Sequence, residues 1–284
     1  MVMPTTLVPL EDELGDVLEK AIRGCKLSVD DVARKASISR DKLGDAMDYR
    51  SELTCVELER LAKVVHLNEV GLCALAQGKY PLPDISGLPF SLECMRMPHG
   101  VGVANAYLIS VPGESSGLLF DTGPSFTDLQ SHWPKNLKTV DAIFLTHLEA
   151  EHAGGLCDVV DCYGVPSVFV PEGCRVPCGE ALEDRAVSRC GCFEITAYST
   201  PGHSSAHYCY RVHLIKEYSG TGEVLISGDL IFAGSAGGGY FCCQQQQENL
   251  QMILGLCPDQ AVLAPGHGPL STVGHERKFN PFVN

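Results

Sequence analysis

Apolar residues along the first 76 positions recur at helical spacing. Leu10, Leu14, Val17, Leu18, Ala21 and Ile22 share one face of a segment closed by Gly24, which predicts a helix over Leu10–Gly24. Ser28 with Asp31 three residues on reads as a capped start for a second helix, Val29–Lys35. After a turn at Ala36-Ser37-Ile38, Ser39 caps a third helix to about Tyr49. Thr54 with Glu57 forms a capping box for a fourth, to about Val65, and Asn68 caps a fifth, to about Ala76. Five short helices of this kind form a compact bundle.

The pattern changes near residue 80. Pro81, Pro83, Gly87 and Pro89 deny the backbone both helix and central strand, so 79–89 reads as a linker between a helical domain, 1–78, and a second domain, 90–284. Beyond it, short β-rich runs are closed by turns: Ala106–Val111, Gly117–Phe120, Asp141–Thr146, Ser167–Val170, Phe193–Tyr198, His207–Ile215, Glu223–Ser227 and Gln260–Ala264. A helical pattern at Gln244–Leu256 lies among them. The chain is therefore α+β, with an all-α N-terminal part.

Composition narrows the function class. With 45% hydrophobic and 20% charged residues over 284 positions, the chain is an ordinary packed globular protein. Lys and Arg total 21 against 35 Asp and Glu, a net charge of −14, which repels phosphate backbones and argues against a protein built to coat nucleic acid. No run approaches the roughly 18 apolar residues of a membrane helix. Met1–Thr6 lacks a basic stretch followed by an apolar core, which reads as no secretory leader and a cytoplasmic protein. The 14 cysteines are then expected as reduced thiols; Cys174-x-x-x-Cys178 and Cys190-x-Cys192 lack the paired spacing of zinc ribbons.

Candidate chemistry concentrates at strand ends. Thr146-His147-Leu148-Glu149-Ala150-Glu151-His152-Ala153-Gly154-Gly155 follows an apolar strand and packs four metal-ligand types into six residues. Alternation would put His147, Glu149 and Glu151 on one side of an extended chain, with His152 turning inward as a helix begins. Thr200-Pro201-Gly202-His203, Gly228-Asp229 and Pro265-Gly266-His267-Gly268 each follow another strand. Ligands on loops at one edge of a β-scaffold are held rigidly and stay open to substrate.

The order His-x-(ligand)-x-(acid)-His-x-Gly-Gly, then Pro-Gly-His, Gly-Asp and Gly-His-Gly, resembles the metallo-β-lactamase superfamily over about residues 90–284. Leu119-Phe120-Asp121-Thr122-Gly123 resembles its early structural Asp-Thr-Gly turn. Thr200–His207, Gly228–Ser235 and the end from Pro265 to Phe282 look like glyoxalase II-type thioester hydrolases. The resemblance implies an αββα sandwich and two divalent ions: His147, Glu149 and His203 on the first, Glu151, His152 and His267 on the second, Asp229 bridging. It implies a hydroxide held by the metals at Glu151 and Asp229 that attacks a thioester or ester carbonyl of a small-molecule substrate. His207 and Tyr240 are expected to meet substrate. His99, with Asn105 nearby, reads as an early surface loop, and His66, His132, His213 and His275 as ordinary packing or surface residues.

Two positions depart from the family pattern, which usually has His at Glu149 and Asp at Glu151. A hard carboxylate at 149 leans the choice among zinc, iron and manganese toward iron or manganese. Two divalent ions against three carboxylates leave one unit of positive charge where the usual pattern leaves two. The His-x-Glu pattern resembles the oxygen-binding diiron branch, so a diiron protein that binds, reduces or senses oxygen or another small gas is the alternative function. Residues 28–48 resemble the helix-turn-helix of lambda-repressor-like domains, which adds a third reading, a DNA-binding regulator. Against it, residues 1–80 hold 11 Lys and Arg and 14 Asp and Glu, net −3. The helices are accordingly expected to serve as an interaction or homodimerisation module, covering one side of the second domain or pairing two chains, rather than as a strong DNA binder.

Overall fold

A computed structural model describes residues 8–215 and 222–284; the Met1–Thr6 stretch that bears on a leader lies outside them. Helices α1 (Leu14–Gly24), α2 (Val29–Ala36), α3 (Arg40–Met47), α4 (Cys55–Val65) and α5 (Glu69–Ala76) open the chain. Their starts follow local chemistry. The side chains of Ser28, Ser39, Thr54 and Asn68 each accept a hydrogen bond from the backbone N–H three residues on. The expected start of α1 at Leu10 is corrected: the Asp16 carboxylate accepts the Glu13 N–H at 3.0 Å, which caps the helix one turn later. Leu10 still packs on the helical core, which is built around Val17, Leu18, Val32, Leu43, Leu61 and Leu72. Two cations of the helix-turn-helix-like region are already paired, Arg40 with Asp30 at 3.3 Å and Lys42 with Glu57 at 2.7 Å.

Residues 79–88 carry no regular structure. The rest runs β1 (Ser91–His99), β2 (Gly102–Ser110), β3 (Ser116–Phe120), α6 (Phe126–Ser131), β4 (Thr139–Phe144), α7 (Ala150–Ala153), α8 (Leu156–Tyr163), β5 (Val168–Pro171), β6 (Gly179–Leu182), β7 (Val187–Cys190) and β8 (Phe193–Ser199). It continues through β9 (Tyr208–Leu214), β10 (Glu223–Gly228), β11 (Ile231–Phe232), β12 (Ser235–Ala236), α9 (Cys243–Leu256), β13 (Val262–Pro265), β14 (Ser271–Thr272) and α10 (Val273–Phe279).

Two six-stranded sheets, ordered β1-β2-β3-β4-β5-β6 and β14-β13-β10-β9-β8-β7, face each other. Alternate residues of both fill the space between: Tyr107, Phe120 and Phe144 from one, Ile195, Tyr210 and Ile226 from the other. The outer face of the first sheet packs Leu108 and Ile143 against Leu129 of α6 and Val159 of α8. The outer face of the second packs Leu225 and Leu263 against Leu250 and Ile253 of α9. This is the expected αββα sandwich. All 14 cysteines are free thiols.

The helices are bound to the sandwich through its C-terminus. The Asn68 N–H donates to Pro281 O at 2.7 Å and its side-chain amide to Val283 O at 3.0 Å. Gly71 lies so close that a Cβ there would sit 1.8 Å from Phe279 O. Between the two parts, the fully buried Glu276 accepts from Ser271 Oγ at 2.5 Å, Asn280 Nδ2 at 2.8 Å, Tyr80 OH at 2.9 Å and Gly234 N at 3.0 Å. Glu276→Ala strands these buried donors and is expected to lower unfolding free energy by about 3 kcal/mol. A urea-denaturation series showing a loss under about 1 kcal/mol would refute that role.

Candidate metal centre

Four strand ends deliver the site. Past β4 come Thr146 and His147; past β8, His203; past β10, Asp229; past β13, His267. Chain direction then changes sharply. Contrary to the extended run expected for 147–151, Glu149 is the N-cap of α7, which already carries Glu151 and His152. The turn is helical because the segment is pressed against the Asp121–Pro124 loop: Thr122 N donates to His152 O at 2.7 Å, and a Cβ on Gly154 would meet Pro124 O at 2.2 Å. Gly266 is equally constrained, since a Cβ there would lie 2.2 Å from Asp229 Oδ1.

The side chains converge around Asp229. His152 Nε2 stands 3.5 Å from its Oδ1; His203 Nε2 and His267 Nε2 stand 3.5 and 3.4 Å from its Oδ2. Burial opposes ionisation of Asp229, but His152 and His267 outweigh it and hold the carboxyl well below the usual range. Burial, reinforced by His152, pushes His147 well below the ordinary imidazole range, leaving a neutral ring with a free lone pair. Glu149 Oε1 lies 3.0 Å from His203 Nε2, and that hydrogen bond lowers the Glu149 carboxyl. Glu151 Oε2 is 3.4 Å from Nε2 of His99, which ends β1 and is exposed, as expected, beside the site.

Each imidazole is aimed by its second nitrogen. His152 Nδ1 bonds Asp121 Oδ2 at 3.1 Å, His203 Nδ1 bonds Gly238 O at 3.0 Å and His267 Nδ1 bonds Val103 O at 2.9 Å. Asp121 also accepts from Thr146 N at 2.8 Å, so the Asp-Thr-Gly turn ties two ligand loops together. Asn105, expected on a loop, is a fully buried residue of β2 whose amide donates to Pro265 O at 3.0 Å and Gly268 O at 2.9 Å, pinning the His267 turn.

His207 departs from expectation. It is fully buried, and its Nε2 accepts the Asp229 backbone N–H at 3.0 Å, so Nδ1 carries the proton and donates to Thr200 Oγ1 at 2.8 Å. Burial drives its pKa down to about 3, so the ring is neutral. With both nitrogens engaged it holds the Asp229 loop, and it is not among the residues lining the cleft. Tyr240, by contrast, is exposed at the mouth, its ring 5.5 Å from that of His203. The mouth is a cleft of about 420 Å³, and its far wall belongs to α1 and the residues just before it. Sequence patterning gave no signal for that wall.

The donor set fits metal ions. His147 Nε2, His152 Nε2 and Asp229 Oδ1 are buried without a hydrogen-bond partner among the described residues, an arrangement that costs about 1–3 kcal/mol per group unless something else binds them. Ligand atoms lie within 4.8 Å of one another in three groups: His147, Glu149 and His203; Glu151, His152 and His267; His147, His152 and Asp229. The mixture of neutral imidazole and carboxylate oxygen is compatible with a dinuclear site.

Comparison with known proteins agrees. A family model described as "Metallo-beta-lactamase superfamily" matches residues 99–270. The probable metallo-hydrolase YqgX of Bacillus subtilis (strain 168) is 28% identical over 217 residues, covering 68% of this chain and 98% of its own. Among solved structures, BLEG-1 B3 metallo-beta-lactamase superposes with a TM-score of 0.54 at 27% identity, covering 67% of this chain and 99% of its own. TTHA1623 in a di-iron-bound form gives 0.51 at 26% identity, covering 66% and 99%. The helices α1–α5 lie outside the family match.

Elemental analysis after gentle purification is expected to find about two metal ions per chain and no more than one in Asp229→Ala, because Asp229 faces both imidazole groups. Retention of the full wild-type complement by the variant would contradict this.

Proposed function

The chain belongs to the metallo-beta-lactamase superfamily, and on that premise we propose that it is a dinuclear metal-dependent hydrolase of a thioester or related ester. The observation that carries the reading is the set of buried, partnerless ligand atoms His147 Nε2, His152 Nε2 and Asp229 Oδ1 beside a cleft lined by Glu149, Glu151, His203, Asp229 and His267. His147, Glu149 and His203 would hold one ion, Glu151, His152 and His267 the other, with Asp229 between them. When bound, the ions supply a nucleophile from water near neutral pH and a Lewis acid for the carbonyl oxygen.

The chain's own residues prepare that chemistry. Asp121 keeps the His152 proton on Nδ1 and turns Nε2 inward. His207 fixes the backbone from which Asp229 projects. Glu149 and Glu151 are the more exposed carboxylates, with side chains 43% and 21% accessible, so they line the path by which substrate enters. Hydrolysis by this route needs no serine or cysteine nucleophile. The likeness of Thr200–His207 and Gly228–Phe232 to thioester hydrolases supports the thioester class.

A second reading, a diiron protein acting on oxygen or another small gas, is favoured by one observation: Glu149 places a hard carboxylate on His203 where an imidazole is usual. The di-iron-bound relative supports the same metal preference. For the helical segment we propose a role other than reading DNA, since Arg40 and Lys42 are already ion-paired.

The metal-loaded protein is expected to cleave S-lactoylglutathione with kcat/KM of at least ~10⁴ M⁻¹s⁻¹. A coloured, oxygen-sensitive iron protein with no thioesterase activity would replace this reading with the diiron one. Glu149→His is expected to raise the zinc-to-iron ratio several-fold in matched growth media. An unchanged ratio would remove Glu149 from the ligand set.

A further inference from the structure

The cleft wall opposite the metal ligands comes from outside the family match, from α1 and the two residues before its cap. The wall is fixed rather than loosely docked. Lys20 Nζ donates to Ala236 O at 2.9 Å and pairs with Asp12, which also accepts from Ser235 Oγ. The Lys20 charge is thereby consumed in holding α1 to the β11–β12 ribbon just beyond Asp229. Asp16 is occupied too, by Glu13 N at 3.0 Å and Tyr49 OH at 2.9 Å.

Arg23 is different. Its guanidinium makes no hydrogen bond among the described residues. The nearest acid, Glu19, stands 3.9 Å away with its own side chain 70% exposed to water. The Arg23 Cζ lies over the Tyr240 ring at 4.9 Å, and that ring lies 5.5 Å from the His203 imidazole. The cation–π contact holds the guanidinium over the ring, and its N–H donors, unused by any hydrogen bond among the described residues, suit capture of a carboxylate or phosphate.

We propose that Arg23, stacked on Tyr240 in the wall built by α1, is the specificity residue that binds an anionic group on the substrate. The inference rests on the hydrolase reading above and deepens it by naming the substrate class: a thioester or ester whose acyl or thiol part carries a carboxylate or phosphate. The 4.9 Å and 5.5 Å contacts in series put the Arg23 Cζ within about 10 Å of the His203 ring, which bounds the distance from the scissile carbonyl to the anionic group. The surrounding acids, Glu11 and Glu19 among them, make the rest of the cleft unfavourable for anions, so an anion has one place to settle on this wall. The helical segment would then act as the substrate-selecting part of the enzyme.

The test uses full-length, metal-loaded protein and three acetyl thioesters built on one cysteamine leaving group and differing in the charge at its far end: S-acetyl-N-succinylcysteamine (anionic), S-acetyl-N-acetylcysteamine (neutral) and S-acetyl-N-β-alanylcysteamine (cationic). Thiol release is the readout. Wild type is expected to prefer the anionic over the neutral probe by about tenfold in kcat/KM, the size of one charge-assisted contact. Arg23→Ala should abolish that preference through KM, Arg23→Lys should keep part of it, and Arg34→Ala, an exposed arginine on α2 paired with Asp31, should keep all of it. Calorimetric binding of thiodiglycolate, a dicarboxylate that cannot be hydrolysed, gives a second readout. Its Kd should rise about tenfold in Arg23→Ala. If no thioester is cleaved but the Kd shift is found, the anion clamp stands and the hydrolase reading falls. A preference for the cationic probe, or no difference between wild type and Arg23→Ala in either readout, overturns the proposal.

Discussion

One buried carboxylate organises this molecule's chemistry. Asp229 sits among the imidazoles of His152, His203 and His267 with an oxygen that nothing in the described chain satisfies. Unpaired buried polar groups are expensive, so the sandwich has to hold them in place by other means. It does so from behind: His207 fixes the Asp229 backbone, Asp121 fixes His152, Asn105 fixes the turn that carries His267. These partners are themselves buried in the packed space between the sheets and loops, so the site inherits its rigidity from the core.

The inner framework was legible in the sequence, and its margins were not. Each of the eight apolar runs read as a strand overlaps one in the structure. The strands that escaped notice in the two large sheets, β1, β6, β7 and β14, are the four sheet edges. An edge strand is hydrogen-bonded on one side only and is partly exposed, so it tolerates Pro98 in β1 and charged residues such as Glu180 in β6 and Arg189 in β7. Its hydrophobic alternation is correspondingly weak. Helix starts were legible because Ser, Thr and Asn caps act over three residues; the shift of α1 to Leu14 reflects a carboxylate cap at Asp16 that carries no apolar signature.

The ligand-type residues were visible because histidines and acids cluster where strands end. The roles behind them were harder to read, since a histidine's function depends on what its second nitrogen meets. His207 shows why: four residues after a ligand, it is satisfied on both nitrogens in the core, whereas His99, exposed as expected, approaches Glu151 from far away in sequence. The wall from α1 was invisible on the same grounds, because Lys20, Arg23 and Asp12 reach the cleft only through tertiary packing over more than 200 positions of chain. One helix of what looked like a separate module, α1, thus lines the cleft beside the site.

The central claim is that the two imidazole groups around Asp229 each bind an ion. Anomalous diffraction from metal-loaded crystals, recorded at the absorption edge of the bound metal, tests it directly. Two peaks are expected, one among His147, Glu149 and His203 and one among Glu151, His152 and His267, with Asp229 touching both. A single peak, or peaks away from Asp229, would contradict it.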